Sequence, residues 1–111
     1  MKIAIPTDMP SIEGSLFDKF GRAPYFIFYD THTKTTKYVE NKSVHASSGA
    51  GSQTAQTLIR AGINTVIIHT IGPKAKSLLE RAGIIIFEGI KGTSKENLEN
   101  FDSSVIQNRN N

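Results

Sequence analysis

The chain has 111 residues, 13 basic side chains against 10 acidic ones, and no cysteine. That length is one domain with a real core, and a formal charge of +3 suits an anionic ligand without marking a nucleic-acid binder. The missing cysteines exclude disulfides, a thiolate nucleophile, cysteine-ligated zinc and any iron–sulfur cluster held by the chain's own thiolates. No apolar run approaches the ~20 residues of a membrane span, and the opening Met1 to Pro6 is too short for a secretory signal. A cytoplasmic protein with neither a membrane nor a nucleic-acid partner is expected.

Ile3-Ala4-Ile5 reads as a short buried strand stopped by Pro6. A long connection over 7–22 follows, rich in turn formers. Tyr25 to Tyr29 is aromatic and branched enough for a second strand, Asp30 to Lys34 has the polarity of a hairpin loop, and Thr36 to Glu40 alternates as an edge strand does. The period then changes. Ala55, Leu58, Ile59 and Gly62 stand at helical spacing, with Gly62 as the stop. Val66-Ile67-Ile68 is an apolar run fit for a strand covered on both faces. Pro73 opens a second helix whose apolar face is Ala75, Leu78, Leu79 and Ala82, and Gly83 ends it. Ile84 to Phe87 reads as another buried strand. Thr93-Ser94-Lys95-Glu96 matches a capping box and opens a third helix burying Leu98, Phe101 and Val105. Residues 1–105 form the domain, and 106–111 a polar tail that frays from Gln107. Arg-Ala-Gly-Ile occurs at 60–63 and again at 81–84, either as a duplicated binding unit or, more simply, as two helix-to-strand junctions needing the same glycine.

The order β-β-β-α-β-α-β-α with right-handed crossovers gives a three-layer α/β/α domain. Its mixed five-stranded sheet has the order 3-2-1-4-5, strand 2 alone running antiparallel. Ligands in such sheets bind beyond the carboxyl ends of the strands where the order reverses, here between strands 1 and 4. The loops 7–22, 43–50, 69–73 and 88–92 meet there, and the hairpin with His32 lies at the far edge. The loop Val44 to Gln53 carries Gly49 and Gly51, small enough for close backbone approach, ahead of a helix whose first amides attract negative charge. It is neither a Walker A nor a GxGxxG motif. His45 in that loop can ligate a metal, donate to an anion, or simply face solvent. His69 reads more plainly as a satisfied, half-buried residue. Arg22, between Gly21 and Ala23-Pro24, suits a multi-oxygen anion or else pairs with Asp18 or Asp8. Two histidines without a paired carboxylate do not make an ordinary zinc site.

Two enzyme classes fail on inventory. A ribonuclease-H-type nuclease shares this strand order but needs several carboxylates around metal ions, and the first helix contains none. A serine hydrolase needs a G-x-S-x-G elbow, which is absent. No enzyme activity is expected.

Met1 to Pro6, Phe20-Gly21-Arg22-Ala23-Pro24-Tyr25-Phe26, Gly49-Ala50-Gly51, Ile71-Gly72-Pro73-Lys74-Ala75, Ala82-Gly83-Ile84 and Gly92-Thr93 together resemble the dinitrogenase iron–molybdenum cofactor biosynthesis family. The likeness runs in order from residue 1 to about 101. It implies a ribonuclease-H-like fold and non-catalytic binding, storage or delivery of an iron–sulfur or iron–molybdenum-type cluster or its precursor. It also implies a protein partner that donates or accepts the cluster. Such clusters are anionic and saturated with sulfide, so the expected binding residues are Arg22, His45, Gly49, Ala50, Gly51, Gly72 and Lys74, with Lys19 nearby and His45 as the one metal ligand. Lys19 stands where many members have histidine, and Ala46-Ser47-Ser48 where many have glycines. The runner-up is a regulatory module for a phosphorylated or other anionic metabolite at the same edge.

Overall fold

Alternation along the strands sets the layers. In β1 (Lys2–Thr7) Ile3 and Ile5 face one side of the sheet and Ala4 the other, all fully buried. β2 (Tyr25–Asp30) and β4 (Thr65–Ile68) repeat the pattern, with Phe26, Val66 and Ile68 beside Ala4, and Ile27 and Ile67 beside Ile3 and Ile5. The first side is covered by α1 (Ala50–Arg60) and α2 (Pro73–Arg81) through Ala55, Leu58, Ala75 and Leu79. The second is covered by α3 (Ser94–Asn110) through Leu98 and Phe101, whose ring meets Phe87 edge-on at 5.0 Å. The structure, a computed structural model, describes the backbone of residues 1–110 and the side-chain burial of residues 1–103. The expectation for Val105 falls outside the described side chains, and the backbone of α3 is helical through Asn110, past the Gln107 at which the tail is expected to begin.

With β3 (Thr35–Glu40) and β5 (Ile85–Glu88) the sheet has the order β3-β2-β1-β4-β5. β2 is antiparallel to β1 and β3, while β1–β4 and β4–β5 are parallel. This is the expected α/β architecture and strand order.

Three details differ from expectation. Pro6 lies inside β1 rather than ending it. Its carbonyl accepts from the Phe17 amide at 2.9 Å, on the side away from β2, so its missing N–H removes nothing from the β1–β2 ladder. Second, β5 is not covered on both faces. Ile84 is buried, but Ile85 is 58% exposed and Ile86 and Phe87 are half-buried. The chain closes its sheet with β5, so one edge faces solvent whatever the apolar content of the run. Third, two asparagines are fully or nearly fully buried, Asn41 and Asn97, each with its side chain satisfied by backbone.

The repeated Arg-Ala-Gly-Ile has a geometric cause. Gly62 and Gly83 take left-handed φ values of 73° and 77°. Their amides donate to Ile59 and Glu80, and those of Ile63 and Ile84 to Leu58 and Leu79. Both junctions are the same Schellman cap, which favours glycine at that one place.

Candidate functional site

Beyond the carboxyl ends of β1 and β4 the chain builds a platform from three segments. The 3-10 turn Phe20–Arg22 is hung from the exit of β4, because Lys19 and Thr70 pair as a parallel bridge and the Phe20 amide donates to Thr70 at 3.2 Å. Its middle residue must be small. A Cβ on Gly21 would stand 2.6 Å from the amide nitrogen of Gly51 and 2.7 Å from its Cα, so the turn lies directly on the first turn of α1. Asn41 locks the second wall. Its side-chain amide donates to Ala23 at 2.9 Å, and its oxygen accepts from the Ser43 amide at 3.1 Å and the Thr54 hydroxyl at 3.4 Å. That starts the 3-10 turn Lys42–His45. Sequence reading missed Asn41; the Asn-x-Ser spacing ahead of a turn was the available signal.

Arg22 neither pairs with Asp18 nor with Asp8. One guanidinium nitrogen donates to the carbonyls of Val44 at 2.8 Å and Ala46 at 2.7 Å, the two residues flanking His45. Arg22 thereby ties the His45 loop to the platform.

Between these walls runs an open groove of about 540 Å³ lined by Lys19, Phe20, Arg22, Gly49 to Ser52, Thr70 and Gly72 to Ala75. Six of the seven expected binding residues line it: Arg22, Gly49, Ala50, Gly51, Gly72 and Lys74. His45 does not; it is exposed at the end of its turn, beyond the groove lining. His69 leaves 52% of its side chain exposed, close to the half-buried state expected, with its Nε2 3.7 Å from an Asp18 oxygen rather than in a hydrogen bond. His32 is exposed on the hairpin, beyond the opposite ends of the strands.

The groove is electropositive for two reasons. Lys19, Arg22 and Lys74 line it and, among the described residues, no carboxylate does. In addition, α1 and α2 both start in its wall, at Gly49 and Gly72, without a side-chain cap. Among the described residues the amides of Ala50, Gly51 and Ser52 meet no acceptor, nor do those of Lys74 and Ala75. Each helix start carries roughly half a positive charge. Free N–H groups and cations beside the exposed ring of Pro73 are the chemistry that suits a compact anion with some poorly hydrated surface.

Fold and groove together define a small α/β domain with an electropositive groove beyond its central strands, and comparison with known proteins gives its family. The family model described as dinitrogenase iron-molybdenum cofactor matches residues 1–104. The chain belongs to that family. Among solved structures it is similar to the apo form of the orange protein (ORP) from Desulfovibrio gigas, with 31% identity, a TM-score of 0.88, and 93% of this chain and 88% of that one covered. A Thermotoga protein solved by NMR under a provisional NifB designation aligns at 30% identity and TM-score 0.82, covering 92% of this chain and 87% of its own. An uncharacterized protein of Methanocaldococcus jannaschii is 31% identical over 91 residues, 79% of this chain and 74% of that one. Among the described residues no helix is long and apolar enough to cross a membrane.

Proposed function

We propose that the protein binds, stores or delivers an anionic iron–sulfur or iron–molybdenum-type cluster, or a precursor of one, without performing chemistry on it. The observation that carries this reading is the groove in which two uncapped helix starts and three cations converge with, among the described residues, no opposing carboxylate. Among the described residues the lining offers no thiolate, imidazole or carboxylate, so the cargo enters with its metal positions, one labile position aside, already taken by sulfide and is held through N–H donors and cations. Gly49, Ala50, Gly51 and Gly72 bring the backbone close, Lys74 and Lys19 supply charge, and Arg22 acts both on the cargo and on the loop it tethers. His45, exposed beyond the lining on the loop that Arg22 tethers, is the proposed imidazole ligand for the one labile metal position of the cargo. A cargo held without thiolates is released without breaking metal–cysteine bonds, which suits transfer between a cluster donor and an acceptor protein. The family and the orange protein, whose structure is described as an apo form, support the same reading.

Anaerobic expression with iron, sulfide and molybdate, followed by metal analysis and visible absorption, tests it. Stoichiometric metal with charge-transfer bands is expected, with loading reduced in Lys74→Gln and Arg22→Ala and unchanged in His32→Ala. A colourless protein stabilised thermally by a nucleotide would instead establish the reading as a module for a phosphorylated metabolite.

A further inference from the structure

We propose a second site on the far side of the Lys19–Thr70 ribbon, in which Asp18 and His69 together bind a divalent first-row transition-metal ion. Lys19 and Thr70 face the groove as a bridged pair. Side chains alternate along extended chain, so their neighbours Asp18 and His69 fall on the opposite side. There they line a separate cavity of about 550 Å³ with Ser15, Leu16, Lys91 and Gly92. Its other wall is equally fixed, by the bridge of Ser15 with Thr93 and by the Leu16 amide donating to Gly92 at 3.0 Å.

The spacing fits an ion. His69 Nε2 and the Asp18 oxygen are 3.7 Å apart, and two ligands at ordinary zinc distances around a tetrahedral centre stand about 3.4 Å apart. A side-chain adjustment of a few tenths of an ångström closes the difference. One imidazole with one carboxylate is the donor set that zinc, cobalt and nickel accept. No group of three or more metal-ligating side chains occurs among the described residues, so the protein supplies two ligands and leaves the other positions open. Binding is therefore weak and exchangeable. Lys91, the one other charged lining residue among the described ones, opposes a bare cation and favours an ion that carries an anionic co-ligand such as hydroxide or sulfide. The pairing supplies the carboxylate that the sequence did not place beside a histidine. The inference stands whether or not the groove takes a cluster.

The test is a zinc titration of the untagged protein followed by imidazole nitrogen NMR, in which the three histidines report separately. The His69 Nε2 resonance should shift saturably while His32 and His45 stay in place. Asp18→Asn should weaken the affinity by at least about tenfold, and both side chains are exposed enough (52% and 70%) for the variants to fold. An unmoved His69, all three histidines moving together, or wild-type affinity in Asp18→Asn would overturn the site.

Discussion

Two regions at the same end of the sheet treat their helix starts in opposite ways. On the α3 face every early amide has a protein acceptor. Thr93 and Glu96 exchange bonds of 2.9 and 3.1 Å, and the amides of Ser94, Lys95 and Asn97 donate to Gly14, Ile12 and Thr93. On the other face α1 and α2 start on glycines with no side-chain cap, and among the described residues their first amides meet no acceptor. The difference is not one of helix-forming capacity. One face pairs its donors within the fold, and the other leaves them unpaired, as the proposed binding role requires. Substitutions should therefore separate the two, and the separation is measurable.

The largest effect belongs to the α3 face. Ile67→Ala, under α3 and fully buried, should cost roughly 2–5 kcal/mol in a urea titration. Lys74→Ala in the groove should change stability by less than about 0.5 kcal/mol. Comparable losses would erase the distinction. Next comes the contact that fixes the groove wall. Gly21→Ala, whose Cβ would meet the Gly51 backbone, should destabilise by roughly 1–3 kcal/mol. Gly72→Ala, which meets nothing within 4 Å and has φ −74°, should be nearly neutral in the same titration.

Capping gives a smaller difference. Thr93→Ala should cost about 1 kcal/mol, while Ser48→Ala ahead of uncapped α1 should be silent. The same box makes stability depend on pH. Bonds from the Thr93 amide and hydroxyl region hold the Glu96 carboxyl below its ordinary value of 4.5. A depressed carboxylate stabilises the fold above that value and loses its contribution as pH falls through the folded-state value. Glu96→Gln should therefore show a weaker drop in urea midpoint between neutral pH and acid than the parent; an identical drop would remove Glu96 from the account. Smallest is the hairpin. Lys34 is the one non-glycine residue at positive φ, 58°, among the described residues. Lys34→Gly should raise stability by up to about 1 kcal/mol, with no effect on ligand binding.

What the sequence made legible divides along the same line. Local rules carried far. The capping box at 93–96, proline at the start of α2 and the twin glycine stops are each determined by neighbours within a turn, and all are present as expected. Strand order followed from crossover handedness. Burial of β5 did not, because Ile84 to Phe87 is as apolar as Val66 to Ile68 and only its place at the end of the sheet exposes Ile85. The groove was legible as a meeting of loops, since topology alone brings Gly21, Gly51 and Gly72 to one edge. Its fine geometry was not. Asn41, whose contacts reach back 18 and forward 13 residues, sets the turn that carries His45 beyond the lining. The partner of Arg22 is a pair of carbonyls, which no side-chain inventory lists as an acceptor.

The most direct test of the central claim is amide NMR of the protein titrated anaerobically with a thiomolybdate anion at low and at high salt. The claim predicts saturable shifts at Ala50, Gly51, Ser52, Lys74 and Ala75, weaker at high salt because exposed charges are screened, and none at Ser94 to Asn97. Shifts centred on the capped start of α3 or on the hairpin at Thr31 to Lys34, or no shifts at all, would contradict it.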